Sequence, residues 1–366
     1  MSEPRTMAAR SQPARAATEA DRPAWDAFVA ARAEADPLQA WAWGEANATE
    51  GRELPHRLVL ARDDGSLAGV AQALVRGAGM GRSVVYVPHG PLWQREADDA
   101  PALLRALLDG LRTLAREQRA LVVKLDPRAA PGGTTADELD ALLAGEGLRR
   151  ARHDLQARTT RLVDLRDGAD ELMATWHKDA RNLVRRSARE GVETEVDRAA
   201  AGGAIEAFHA IWRATAERAE FRIRPLPFLA TLAREAAASD GWYLVLARLA
   251  GRPIAGALGL RVGDRGHYLY GASLRAPELK HAHGPYACLA ALMAALAADG
   301  VRTLDLWGVV EPGEPSPEPS WQGFSAFKRQ FGGQPLRHPG TFDLVTDPVW
   351  FTLRDLRERL LGLLRR

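Results

Sequence analysis

The chain has 366 residues, 46% of them hydrophobic and 26% charged, with a formal net charge of +2. That length exceeds what one hydrophobic core usually organises, so two domains are expected. The near-neutral balance excludes wholesale coating of nucleic acid, and the single Cys288 excludes an internal disulfide and fits a reducing, cytoplasmic setting.

Residues 1–22 are rich in Ala, Arg, Ser and Pro without an apolar segment, so a disordered leader is expected there, not a secretory signal. Order is expected from Asp21, an N-cap candidate ahead of Trp25, Phe28 and Val29 at helical spacing. A short apolar helix follows around Leu38-Gln39-Ala-Trp41-Ala-Trp43. Residues 56–62 and 67–76 form a hairpin around Asp63-Asp-Gly-Ser66, and 83–88 is a further strand. Residues 100–119 carry leucines at 103, 104, 107, 108, 111 and 114, an amphipathic helix, and 121–125 is a buried strand stopped at Asp126-Pro127.

The second half repeats this order. A strand at 158–165 and two short helices within 168–191 precede longer helices at 204–219 and 226–238. Strands at 242–249, 253–262 and 267–270, an apolar helix at 284–299 and a strand at 301–307 complete it. This repetition predicts a duplicated α/β domain with mixed, largely antiparallel sheets. The expected boundaries are 23–155 for the first domain and 156–337 for the second. Segment 338–366, with Leu353, Leu356, Leu360 and Leu363/Leu364 as an apolar side, is expected to dock back on the first. The Pro/Glu-rich stretch 311–320 reads as an exposed, lid-like connection. No apolar run is long enough to span a membrane.

Two segments stand out chemically. In Trp176-His-Lys178-Asp-Ala-Arg181-Asn-Leu-Val-Arg185-Arg186-Ser-Ala-Arg189-Glu-Gly191, five cations face two acids, and Arg181, Arg185 and Arg189 rise along one helical face. Two readings are open: a site for a polyanion, or a solvated helix whose last-turn arginines complement the macrodipole before the Gly191 stop. In Phe324-Ser-Ala-Phe327-Lys328-Arg-Gln-Phe331, Lys328 lies beside an aromatic stripe. It is either a desolvated ammonium at a cleft or a lysine snorkelling to water. Phosphate-loop, dinucleotide, metal-spacing and nucleophile-elbow patterns are missing. The pair His281-x-His283 reads as a surface loop.

Five segments in order carry a resemblance. They are Leu38-Gln39-Ala-Trp41-Ala-Trp43-Gly44, Tyr86-Val-Pro-His89-Gly90-Pro91, the cationic helix, Tyr268-Leu-Tyr270-Gly-Ala-Ser273, and Asp305-Leu-Trp-Gly308 followed by Phe327-Lys328-Arg-Gln-Phe-Gly332. From about Trp25 to Val345 the chain resembles the FemABX peptidoglycan cross-bridge aminoacyltransferases. The resemblance implies an α/β (α+β) fold of two tandem GNAT-like domains without a long helical arm. It implies aminoacyl transfer from aminoacyl-tRNA to an amino group of a peptidoglycan precursor, UDP-linked (a UDP-MurNAc-peptide) or lipid-linked (lipid II). No cofactor, metal or DNA is expected, and the chain is expected to be monomeric, touching a membrane only if the acceptor is lipid-linked. By position, Lys328 matches the lysine stabilising the tetrahedral intermediate, and Arg181 and Arg185 the helix holding the precursor diphosphate. Tyr268, Tyr270 and Tyr286 match aromatic positions near the acceptor peptide. Gln39, Trp43 and His89 complete the expected binding set, with His89 standing where relatives carry arginine and Asn47 and Glu45 where a lysine is frequent. Asp126 and Asp305 are general-base candidates only by their location at strand ends. Two rivals remain open: a GNAT N-acyltransferase using acyl-CoA, and a non-catalytic precursor- or tRNA-binding protein. His281-Ala-His-Gly284-Pro-Tyr286 supplies one glycine and a proline where a CoA pyrophosphate loop is expected, which disfavours the first.

Overall fold

A computed structural model describes residues 12–315, 320–354 and 356, and they fall into two compact units. One is drawn from the chain up to Gln156 and from His338 onward, the other from Ala157–Arg337.

The first unit opens on β1 (Arg15–Ala16), which pairs antiparallel with Leu58 and Val59. The expected leader is therefore corrected over residues 12–22, while residues 1–11 lie outside the described ones. Asp21 does not cap the following helix. Its carboxylate accepts instead from Arg15, at 2.7 and 2.8 Å, and from the Thr18 backbone at 2.8 Å. Helix α1 (Arg22–Ala30) buries Trp25, Phe28 and Val29, and Trp25 meets Trp41 of α2 (Trp41–Ala48) edge to face at 5.7 Å. Strands β2 (Leu54–Ala61), β3 (Leu67–Gly79), β4 (Arg82–Val87), β5 (Leu92–Trp93), β6 (Ala120–Leu125) and β7 (Arg149–Arg150) follow. Helix α3 (Ala100–Glu117) lays its leucine stripe into the core under this sheet. Helix α4 (Ala136–Gly145) starts on a Thr135/Glu138 capping box.

The second unit runs β8 (Thr159–Asp164), α5 (Gly168–Thr175), α6 (Lys178–Arg189), β9 (Val192–Asp197), α7 (Gly202–Ala219), α8 (Leu226–Ala237), β10 (Trp242–Leu249), β11 (Arg252–Val262), β12 (Arg265–Ser273), α9 (Gly284–Ala298), β13 (Thr303–Gly308), α10 (Ser320–Arg329) and β14 (Gln334–Arg337). Its sheet has the order β14-β8-β13-β12-β11-β10-β9, parallel only between β12 and β13. Apolar nearly all round, α9 buries Cys288, Leu289, Leu292, Met293 and Leu296.

Strand β15 (Phe342–Val345) then re-enters the first unit, whose sheet has the order β1-β2-β3-β4-β6-β15-β7, with β5 on β3 and only β4–β6 parallel. Past it, residues 348–354 are helical, and Trp350 and Phe351 pack against Val84, Leu121 and Val122. Here the expected docking face is corrected: aromatics make the contact, and Leu353 and Leu356 are each 52% exposed. Leu360, Leu363, Leu364 and most of the expected lid (316–319) lie outside the described residues.

Candidate active site

The site grows from a parting of strands in the second unit. Strands β12 and β13 pair in parallel only at Arg265–Thr303, Gly266–Leu304 and His267–Asp305. Beyond that point β12 stays on β11 while β13 pairs with β8, with an irregularity between Asp305 and Gly308. Tyr268 and Tyr270 follow the parting on one strand, Leu306 to Gly308 on the other.

Trp307 makes the irregularity. It has φ = 64°, a left-handed conformation that is costly for an aromatic residue. Its N–H donates 2.7 Å to Asp305 Oδ1, and Thr160 Oγ1 donates to the same oxygen. A glycine is required next, because a Cβ on Gly308 would lie 2.5 Å from that of Ala157.

The Gly308 carbonyl accepts from Lys328 Nζ at 2.9 Å. Just past helix α10, Phe331 is buried in the core, and Lys328 in the last turn of the helix is drawn inward to 8% exposure. Its ammonium lies 5.0 Å from the Phe324 ring centre and 5.8 Å from that of Tyr268. The side chain does not snorkel to water. Burial brings it down to about 7, against a smaller upward pull from Asp305.

Tyr286, on the first turn of α9, packs on Phe327 and Phe331 with ring centres 5.0 and 5.8 Å away, and its hydroxyl donates 3.2 Å to Gln330 Oε1. The Gln330 carbonyl accepts from His177 N at 2.8 Å, tying the residue ahead of α6 to the end of the lysine helix. Gln330 thus links three parts of the site, and its side-chain type alone gives no hint of it. Tyr268 is buried, with its hydroxyl tucked over Gly271. Tyr270 lies apart, tilted against Trp212 of α7 at 4.3 Å.

The arginines of α6 divide. Arg181 Nη1 donates to the carbonyls of Ala174 (3.0 Å) and Trp176 (2.7 Å), filling acceptors left open at the end of α5. Arg186 pairs with Glu190 at 3.3 Å. Arg185 is exposed and has no hydrogen bond or ion pair among the described residues. Its guanidinium is the one of these three available to an incoming anion.

In the first unit, the expected binding residues sit in a buried polar framework. Gln39 Nε2 donates to the carbonyls of Pro88 (2.7 Å) and Gln72 (3.2 Å), and its Oε1 accepts from Gln72 N at 2.9 Å. Trp43 is buried and its carbonyl accepts from Asn47 Nδ2 at 2.7 Å. His89 Nδ1 lies 2.8 Å from Asp36 Oδ2, to which Arg128 Nη1 also donates at 2.6 Å.

The Acetyltransferase (GNAT) domain family matches residues 175–313, which contain the parting strands. A lipid II:glycine glycyltransferase of Staphylococcus aureus is 27% identical over 209 residues, 56% of this chain and 48% of that protein. The chain therefore spans about half the length of the curated relatives it matches. A crystal structure of FemX superposes with a TM-score of 0.79 at 19% identity, over 93% of this chain and 99% of FemX. A tandem GNAT protein from the clavulanic acid biosynthesis pathway superposes at 0.55 with 15% identity, over 92% and 99%. The chain has the fold of FemX and resembles the FemABX aminoacyltransferases.

Among the described residues this FemX-like fold has no long helical arm: its longest helices, α3 and α7, have 18 residues each. No described helix is long and apolar enough to cross a membrane. The repeated units also differ where the site lies. In the first, the parallel β4–β6 ladder runs to the last residues of both strands, Val87 and Leu125. Just past it, Asp126 accepts from Tyr86 Oη (2.8 Å) and His89 N (2.7 Å), and burial pushes both Tyr86 and Asp126 up. The equivalent opening is thus closed by strand pairing in one unit and left open in the other.

Proposed function

We propose that the chain transfers an aminoacyl group from aminoacyl-tRNA to an amino group on the stem peptide of a peptidoglycan precursor, as a step in cross-bridge synthesis. The observation that carries this reading is Lys328, a buried ammonium fixed to a backbone carbonyl where β12 and β13 diverge. Its similarity to a lipid II:glycine glycyltransferase supports the substrate class.

The donor ester is already activated, so no covalent enzyme intermediate is needed. The acceptor amine, once deprotonated, attacks the ester carbonyl. The C–O bond to the tRNA ribose breaks as the C–N bond forms, and the proton leaves to the ribose oxygen through solvent or substrate. One of the three ammonium donors of Lys328 is used on Gly308, and the others stabilise the developing oxyanion at low local dielectric. Arg185 binds the precursor phosphates, Arg181 supports the helix that carries it, and Tyr286 borders the acceptor peptide. The framework around Gln39, Trp43 and His89 shapes the first unit. The enzyme acts as a cytoplasmic monomer without a cofactor, and touches the membrane surface if its acceptor is lipid-linked.

Acyl-CoA is disfavoured as donor because α9 opens on Gly284-Pro285 after His283, with no side-chain cap and a proline lacking its N–H where a pyrophosphate needs donors. The test is to incubate the protein with charged tRNAs and either a UDP-linked muropeptide or lipid II and weigh the product. Mass gain by one or more amino acids is expected. Transfer from acyl-CoA and from no aminoacyl-tRNA overturns the reading.

A further inference from the structure

Asp305 and Trp307 have no role in the reaction as written above, yet Trp307 is held in a left-handed backbone conformation beside the Gly308 anchor of Lys328. We infer that Asp305 is the positioning residue of Lys328, acting through Trp307 and Gly308. This rests on the role proposed for Lys328.

Each link is a contact. Asp305 is fully buried, and the Thr160 hydroxyl on neighbouring β8 fixes its Oδ1. That oxygen takes the Trp307 N–H at 2.7 Å, which holds Trp307 at φ = 64°. Without such a partner a tryptophan there relaxes toward the ordinary extended conformation, a preference of about 1–2 kcal/mol. The next residue, Gly308, offers its carbonyl to Lys328 Nζ at 2.9 Å. A catalytic ammonium must be placed within about half an ångström to be effective. The carboxylate thus sets where the lysine is anchored, and its charge favours the protonated lysine against burial. The titratable side chains around the pair are Tyr268, beside the ammonium, and His267, opposite Asp305 in the β12–β13 ladder.

The chain has only four lysines, Lys124, Lys178, Lys280 and Lys328, so carbon-13 labelling at lysine Cε gives four NMR signals. Loss of one signal in Lys328→Met assigns it. Asp305→Asn keeps an oxygen for the Trp307 N–H but removes the charge, and Asp305→Ala removes both. In Asp305→Asn the Lys328 titration midpoint is expected to fall by about one pH unit, with kcat at pH 6 within about tenfold of the parent. In Asp305→Ala kcat falls at least about a hundredfold with KM little changed, and the asparagine variant restores most of it. If Asp305→Ala does not fold, Asp305→Asn carries the test by its midpoint. An unshifted midpoint in Asp305→Asn, or full kcat in a folded Asp305→Ala, overturns the inference. The titration needs no substrate. A parent enzyme that transfers nothing while the midpoint still shifts overturns the proposed function and leaves the positioning standing.

Discussion

Lys328 Nζ donates to the Gly308 carbonyl at 2.9 Å, so the chain spends a backbone acceptor to keep a cation in an apolar pocket. Removing the cation should therefore stabilise the protein while disabling it. The lysine falls from its ordinary 10.5 to about 7, so in the folded state it is neutral over a range where the unfolded chain is still protonated. Folding then releases a proton, and the penalty is complete below about pH 7 and relieved as pH rises toward 10.5. The cost at low pH is roughly 4–5 kcal/mol, net of the bond to Gly308. Lys328→Met should gain roughly 4 kcal/mol more in urea unfolding at pH 6 than at pH 10, while kcat falls about 100- to 1,000-fold. A gain that is equal at both pH values contradicts a buried ammonium.

The same bond sets the pH profile of the parent enzyme. An oxyanion stabilised by a cation loses its partner as Lys328 deprotonates, while the acceptor amine gains its reactive form, so kcat should rise with pH and level off above about 7. A profile still rising above that point would assign Lys328 to proton acceptance instead.

Gly308→Ala places a methyl group 2.5 Å from the Ala157 Cβ, with both atoms on backbone that cannot swing aside. We expect a loss of about 1–3 kcal/mol in thermal unfolding and a larger drop in kcat than Asp305→Asn gives.

Arg181 and Arg185 should separate cleanly. Arg181→Ala leaves two carbonyls at the end of α5 without a side-chain donor and should cost about 1 kcal/mol of stability. Arg185→Ala should leave the unfolding midpoint unchanged and raise KM for the phosphate-bearing acceptor about tenfold, with kcat held. Equal KM effects from both would return Arg181 to the phosphate site.

Cys288 is fully buried, and burial pushes its thiol up to about 12. Iodoacetamide should leave it unmodified in the native protein and label it only after denaturant is added.

Much of this was readable from the chain because periodicity is local. The leucines of α3 and the cation stripe of α6 repeat at helical spacing and needed no tertiary knowledge. The contacts of Arg181 were hidden because its acceptors, the carbonyls of Ala174 and Trp176, are exposed to it only by the break between α5 and α6, which has no glycine or proline to mark it. Gln39 was legible as polar in an apolar setting, but its partners Gln72 and Pro88 are 33 and 49 residues away. Trp307 runs against its own propensity, since nothing about an aromatic residue in a strand announces a positive φ. Only the contact of Asp305 with its backbone explains it. The edge strand β9, exposed at Glu193, Thr194 and Glu195 in succession, went unread because a short polar run without alternation resembles a loop.

Strand β15 carries a consequence for how the molecule is made. It lies between β6 and β7 and pairs with both, with Asp343 bonded to Lys124 at 2.6 Å. A ribosome delivers residues 157–337 before it delivers 342–345. The inserted unit can mature while its host still lacks an interior strand, and the host is completed last. Synthesis therefore finishes the part bearing Lys328 before the part that begins the chain.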